Sequence, residues 1–133
     1  MNRKQIFRSF IIHTLFAFYV AGGVNHFVNP QFYLPLIPPY LPYPEWINVL
    51  AGVAEIILGL GVLFFPTRVV SARLIVLMLL AFIPSHVYFI QLGSCVEGVL
   101  CVSEVVGWIR LLVIHPILIF WAFWVMKNPR IYV

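Results

Sequence analysis

The stretch WINVLAGVAEIILGLGVLFF, residues 46–65, decides the fold. It carries one charged side chain, Glu55, and as a helix rising 1.5 Å per residue it covers ~30 Å, the thickness of the hydrocarbon core of a bilayer. Working outward, similar apolar runs lie at about 8–28, 72–91 and 105–126. The expected fold is therefore all-α, a transmembrane four-helix bundle, with residues 1–133 forming a single domain.

Composition agrees with this reading. Of 133 residues, 63% are hydrophobic and 9% charged, too few polar groups to clothe a soluble fold in water. The net charge of +4 comes from Lys and Arg scattered singly between apolar runs, so no basic face for nucleic acid is expected. Their positions report topology instead. Arg3, Lys4 and Arg8 precede the first span, Arg68 and Arg73 are expected between the second and third, and Lys127 and Arg130 follow the fourth. The opposite loops hold Glu45, Glu97 and Glu104 without Lys or Arg. The positive-inside rule then places both termini of a multi-pass protein in the cytoplasm. A cleaved signal peptide is the competing reading of residues 1–28. It fits less well, because the run is long and aromatic and continues past Phe18 and Tyr19 to Asn25 and His26 without an A-x-A-like site.

The first outer loop, about Asn29 to Glu45, holds Pro30, Pro35, Pro38, Pro39, Pro42 and Pro44 and cannot be one continuous helix. Phe32, Tyr33, Tyr40, Tyr43 and Trp46 alternate with these prolines. Such a segment suits either an anchor at headgroup level or a lid over the mouth of the bundle.

Inside the spans, Asn48, Gly52, Glu55 and Gly59 follow i, i+4, i+7, i+11 and form one small, polar stripe expected to face the interior. An isolated carboxylate at that depth is costly unless neutral or paired, and Arg110 is its expected partner. On helix rise, Arg110 lies ~8 Å below the outer face, His86 ~9 Å, Glu55 ~14 Å and His115 ~15 Å, with His26 bordering the same zone from above. Arg110 and His115, five residues apart, stand ~140° from each other on an ideal helix, so His115 is expected to turn away unless Pro116 alters the turn, as Pro84 can before His86. His13 reads as structural. The histidines stand at uneven depths and lack the Glu-x-x-His pattern, so no metal or haem is expected. Cys95 and Cys101 share the second outer loop; a structural disulfide, free thiols and a redox pair are all open to them, although a redox pair more often shows Cys-x-x-Cys.

Taken together, the segments Gly22-Gly23-Val24-Asn25-His26-Phe27, Pro38-Pro39-Tyr40-Leu41-Pro42, Gly52-Val53-Ala54-Glu55-Ile56-Ile57-Leu58-Gly59, Pro84-Ser85-His86-Val87-Tyr88 and Trp108-Ile109-Arg110 resemble the DoxX-like family of small four-helix bacterial membrane proteins. His86 stands where that family more often carries Asn, and the Cys95/Cys101 loop is not one of its hallmarks. The resemblance implies association with membrane redox chemistry, some members being linked to quinone-coupled oxidation and others to accessory or chaperone-like roles. The expected function is thus a redox subunit binding a quinone or similar amphipathic molecule. Glu55 and Arg110 would be its catalytic groups, with Asn25, His26, His86, His115 and Tyr40 as ligand-binding residues. A partner oxidoreductase subunit or a homo-oligomer is expected within the lipid bilayer. The alternatives are a non-enzymatic accessory or assembly subunit, and a thiol-quinone oxidoreductase cycling Cys95 and Cys101.

Overall fold

The computed structural model describes residues 2–129; Arg130, one of the cations in the charge pattern, lies outside them. Among the described residues, four helical stretches are long and apolar enough to cross a membrane: Arg3–Val28, Pro44–Leu63, Phe65–Gln91 and Glu104–Lys127. The first is α1. It starts five residues earlier than expected because Asn2 caps it: Asn2 Oδ1 accepts from the Gln5 N–H, and Gln5 Oε1 accepts from the Asn2 N–H. A short helix α2, Pro30–Tyr33, and a single 3-10 turn, Leu34–Leu36, follow within the proline-rich segment. The second long helix is α3, Pro44–Leu63, with Pro44 in its first turn, where a missing N–H costs nothing. The third is α4, Phe65–Gln91. The fourth is built from α5, Glu104–Ile109, a π-helical stretch, Arg110–Ile114, and α6, His115–Lys127. The only departure from an all-α fold among the described residues is a β-hairpin of two-residue strands, β1 (Cys95–Val96) and β2 (Leu100–Cys101).

The α3–α4 connection corrects the expected boundaries. The third span begins at Phe65, not near 72, and a single residue, Phe64, joins the two helices. Arg68 and Arg73 are therefore inside α4 rather than in a loop, and Arg110 is not the only cation within a span. So sharp a reversal leaves the last carbonyls of α3 without helical partners. Thr67 Oγ1 donates to the Gly61 carbonyl at 2.7 Å, Arg68 Nε to Val62 at 2.7 Å and Arg68 Nη2 to Leu63 at 2.7 Å. Arg68 Nη1 also donates to the Pro129 carbonyl at 2.9 Å, pinning the chain beyond α6 to the same corner. Arg68 is fully buried.

The helices pack in a ring, α1 on α3, α3 on α4, α4 on α6, with α6 meeting α1 only lightly. The α1–α3 seam is built on glycine. Gly23 and Gly52 bring the two backbones so close that a Cβ on Gly23 would lie 2.6 Å from the Gly52 carbonyl oxygen. The inward face of α3 is the stripe read from the sequence, Asn48, Gly52, Glu55 and Gly59, continued by Val62. The bundle divides along its length. Ile12, Leu15, Tyr19, Val62, Ala72, Ile75, Leu79, Ala122 and Val125 form an apolar core toward the end that carries the termini. Polar side chains gather toward the end that carries the hairpin. Phe10, Leu50, Leu112 and Phe120 are each more than 60% exposed, so the outside is as apolar as the inside, as a lipid-facing surface requires.

Candidate functional site

At the hairpin end a cavity of about 160 Å³ lies between α3, α4, the fourth helix and the proline-rich segment. A space of ~150 Å³ accepts a single aromatic ring in other proteins. Its apolar wall includes Phe32, Leu36, Ile37, Ile47, Phe82 and Phe89, and its polar groups are His26, Tyr33, Asn48, Glu55, Ser85, His86 and Arg110.

The proline-rich segment splits into two roles. Its first half folds inward as a lid: Phe32, Tyr33, Leu36 and Ile37 line the cavity, with Leu36 buried. Its second half is exposed, Tyr40, Tyr43 and Trp46 being 70%, 73% and 67% accessible, as aromatic anchors at a membrane surface are. Tyr40, expected to bind ligand, belongs to this exposed half, and Tyr33 is the tyrosine at the cavity.

Glu55 does not pair with Arg110; no ion-pair contact within 4 Å joins them. The carboxylate meets His26 instead, Oε1 lying 3.7 Å from Nε2. The rest of the ring is fixed by Asn48, whose Nδ2 donates to the His26 carbonyl at 3.0 Å, leaving its Oδ1 to accept from His26 Nδ1 at 2.7 Å. Nδ1 therefore carries a hydrogen, and Nε2 is the ring nitrogen that faces Glu55. Tyr33 stacks on the other face of the imidazole, with ring centroids 3.7 Å apart and planes 18° from parallel. Asn25, expected to touch ligand, acts one step back: its Nδ2 donates to Tyr33 Oη at 2.8 Å and sets that ring in place. Gly22 gives Glu55 its room, since a Cβ there would lie 2.7 Å from Oε2.

Across the cavity, Arg110 presents its guanidinium over the Phe89 ring, Cζ 5.0 Å from the centroid. Its Nη1 is buried and has no hydrogen-bond acceptor. The π-helical stretch accounts for its placement. Pro116 has no N–H to give the helix, and the ladder slips to i→i+5, the His115 N–H bonding the Arg110 carbonyl. That bond widens the turn and brings residue 115 closer to the face of residue 110 than the ~140° of an ideal α-helix would. His115 turns into the bundle, buried, and donates from Nε2 to the Leu79 carbonyl at 2.7 Å. A carbonyl can only accept, so the proton of this imidazole is on Nε2. Its ring meets His86 edge to face, with centroids 4.7 Å apart. His115 thus backs His86, which lines the cavity, and does not line it itself. Tyr19 is a group the sequence reading did not single out: its hydroxyl is buried without a hydrogen-bond partner. His13 lies far off, bonded within α1 to the Ser9 carbonyl.

Above the site, a disulfide joins Cys95 to Cys101, which are direct partners across the β1–β2 ladder. Among the described residues no three of His, Cys, Asp and Glu gather as metal ligands.

The molecule is a polytopic helical bundle of membrane-protein construction, with a partly polar cavity at one end. A family model described as a domain of unknown function (DUF8561) matches residues 15–126, and the chain belongs to that family. The match runs from within α1 to the last turn of α6 and so includes every residue of the cavity wall. No curated protein and no solved structure matches the chain.

Proposed function

We propose that this chain is a DoxX-like subunit of a membrane redox system, and that its cavity receives the head of a quinone or a similar amphipathic small molecule. One observation carries the reading: Arg110 Nη1, a charged donor, is buried beside the cavity with nothing to bond. A buried donor left unsatisfied costs about 1–3 kcal/mol, more when charged, and a carbonyl oxygen on a bound ring would remove that cost. The dimensions suit one ring with its tail outside, and the aromatic lid suits a flat apolar head.

Reduction of a quinone consumes two electrons and two protons. In this proposal a partner oxidoreductase subunit supplies the electrons, and His26 and Glu55, 3.7 Å apart, stand at the cavity to pass protons on. Apart from Arg110 at the cavity itself, the cations of the described residues gather at the opposite end, and under the positive-inside rule this supports both termini in the cytoplasm of a bacterial inner membrane with the cavity in its outer half. The Cys95–Cys101 disulfide suits an oxidising compartment on that side.

The test is titration of the purified protein in detergent with a short-chain benzoquinone. Binding is expected, weakened at least about tenfold, or 1.4 kcal/mol, in Arg110→Gln. Glu55→Gln should still bind but take up fewer protons when dithionite reduces the bound quinone. If the unaltered protein binds none, or Arg110→Gln binds equally well, the proposal fails and an accessory or assembly role takes its place.

A further inference from the structure

The light contact between α1 and α6 leaves a groove of about 540 Å³ on the outside of the bundle, at the end opposite the cavity. Phe7, Phe10, Ile117, Phe120, Trp121 and Trp124 line it, and it follows the helices for ~10 Å at 1.5 Å per residue. Its floor is closed: Trp121 Nε1 donates to the Ile11 carbonyl at 3.2 Å, and Thr14 Oγ1 is turned back onto the Phe10 carbonyl at 2.8 Å. No polar group is left to repel a hydrocarbon chain. At the end of the same two helices, Arg8, Lys127, Asn128 and Pro129 surround a second recess of about 390 Å³.

Charge identifies the occupant. The chain has four acidic side chains, Glu45, Glu55, Glu97 and Glu104, and none lies at this end. Arg8 and Lys127 have no carboxylate side chain within ion-pair distance; Lys127 only rests over the Phe123 ring, 5.5 Å from its centroid. Among the described residues these two cations have no carboxylate partner, and they stand at the end of an uncharged, aromatic groove one chain wide.

We infer that the α1–α6 groove is a binding site for an anionic phospholipid, with the phosphate between Arg8 and Lys127 and an acyl chain along Phe10, Phe120 and Trp121. A lipid meets both halves of the site at once, as neither a free phosphate nor a hydrocarbon does. The lipid also fills the gap where the ring of helices is least closed, so it should act as part of the packing.

Trp121 and Trp124 provide the readout, because Trp46 and Trp108 lie near the other end and can be changed to Phe. In that background, the detergent-solubilised full chain is titrated with phosphatidylglycerol or phosphatidylcholine carrying brominated acyl chains, which quench indole fluorescence on contact. Saturable quenching is expected at a concentration at least tenfold lower for phosphatidylglycerol, and Arg8→Gln with Lys127→Gln should erase the difference. Equal quenching by the two lipids, or a preference indifferent to those substitutions, overturns the proposal. So does binding that appears only when residues 130–133 are deleted, since the chain's own end then holds the site, and so does a dimer that excess lipid cannot displace. Inorganic phosphate competing as well as the lipid would likewise reduce the site to an anion pocket and defeat it.

Discussion

Alanine at Gly22 and alanine at Gly23, neighbours in α1, should differ sharply in their effect on stability. A Cβ on Gly23 would lie 2.6 Å from the Gly52 carbonyl oxygen, 2.7 Å from Ile56 Cγ1 and 2.9 Å from the Ile56 nitrogen. Two of these three atoms are backbone, so the helices themselves must part. Restoring an ordinary 3.4 Å contact needs about 0.8 Å, the difference from 2.6 Å. The same displacement stretches the 2.7 Å His26–Asn48 bond to roughly 3.5 Å, beyond useful hydrogen-bonding range. Overpacking costs about 1–3 kcal/mol and the two weakened His26–Asn48 bonds about 1 kcal/mol each, against a gain of about 1 kcal/mol from replacing glycine in a helix. A net loss of about 3 kcal/mol is expected. At Gly22 the only close atoms are the end of the Glu55 side chain, Oε2 at 2.7 Å and Cδ at 3.7 Å. One off-rotamer adjustment of about 0.5–1.5 kcal/mol is roughly cancelled by the helical gain. Reversible unfolding in mixed detergent, followed by circular dichroism, should therefore show Gly23→Ala strongly destabilised and Gly22→Ala near the unaltered protein. Gly22→Ala should nonetheless disturb quinone binding, because it moves the carboxylate. Equal stabilities for the two variants would refute the close α1–α3 approach on which the site depends.

Arg68→Met should lose at least about 3 kcal/mol, since it strips charged donors from the Val62, Leu63 and Pro129 carbonyls at once, and limited proteolysis after residue 127 should quicken. Replacing both Cys95 and Cys101 with Ser should cost no more than about 2 kcal/mol, the loop-closure value for so short a ring, and leave quinone binding unchanged; loss of quinone turnover in that variant would favour thiol chemistry instead. His115→Ala should lower stability by about 1–3 kcal/mol, read as a fall in unfolding temperature, by leaving the buried Leu79 carbonyl without its donor.

The parts of this molecule that repeat along one helix were legible in its sequence, and the parts that depend on two helices meeting were not. The α3 stripe is an example of the first kind: spacing alone places Asn48, Gly52, Glu55 and Gly59 on one face, and that face is buried. The choice of partner for Glu55 is of the second kind. Depth makes Arg110 and His26 equally eligible, and only the register set by Gly23 against Gly52 decides for His26. Arg68 was hidden because an arginine beside Pro66 reads as loop, whereas the one-residue link turns it into the cap of the helix before it. Pro116 announces a disturbed turn, but the direction of the disturbance follows from the slipped ladder, which exists only in the folded helix. The hairpin register of Cys95 opposite Cys101 was one of several arrangements that five intervening residues allow.

The single-residue link at Phe64 also determines where the chain tolerates interference. Splitting or lengthening it would separate Thr67 and Arg68 from the carbonyls they cap, and the corner that also holds Pro129 would come apart. The hairpin tip at Glu97 and Gly98 behaves in the opposite way: it is exposed, and Gly98 has a φ of 73° with no neighbour close enough to touch a side chain. A label, affinity handle or surface tether belongs at that tip, at the cavity end of the bundle but off the residues that line the cavity.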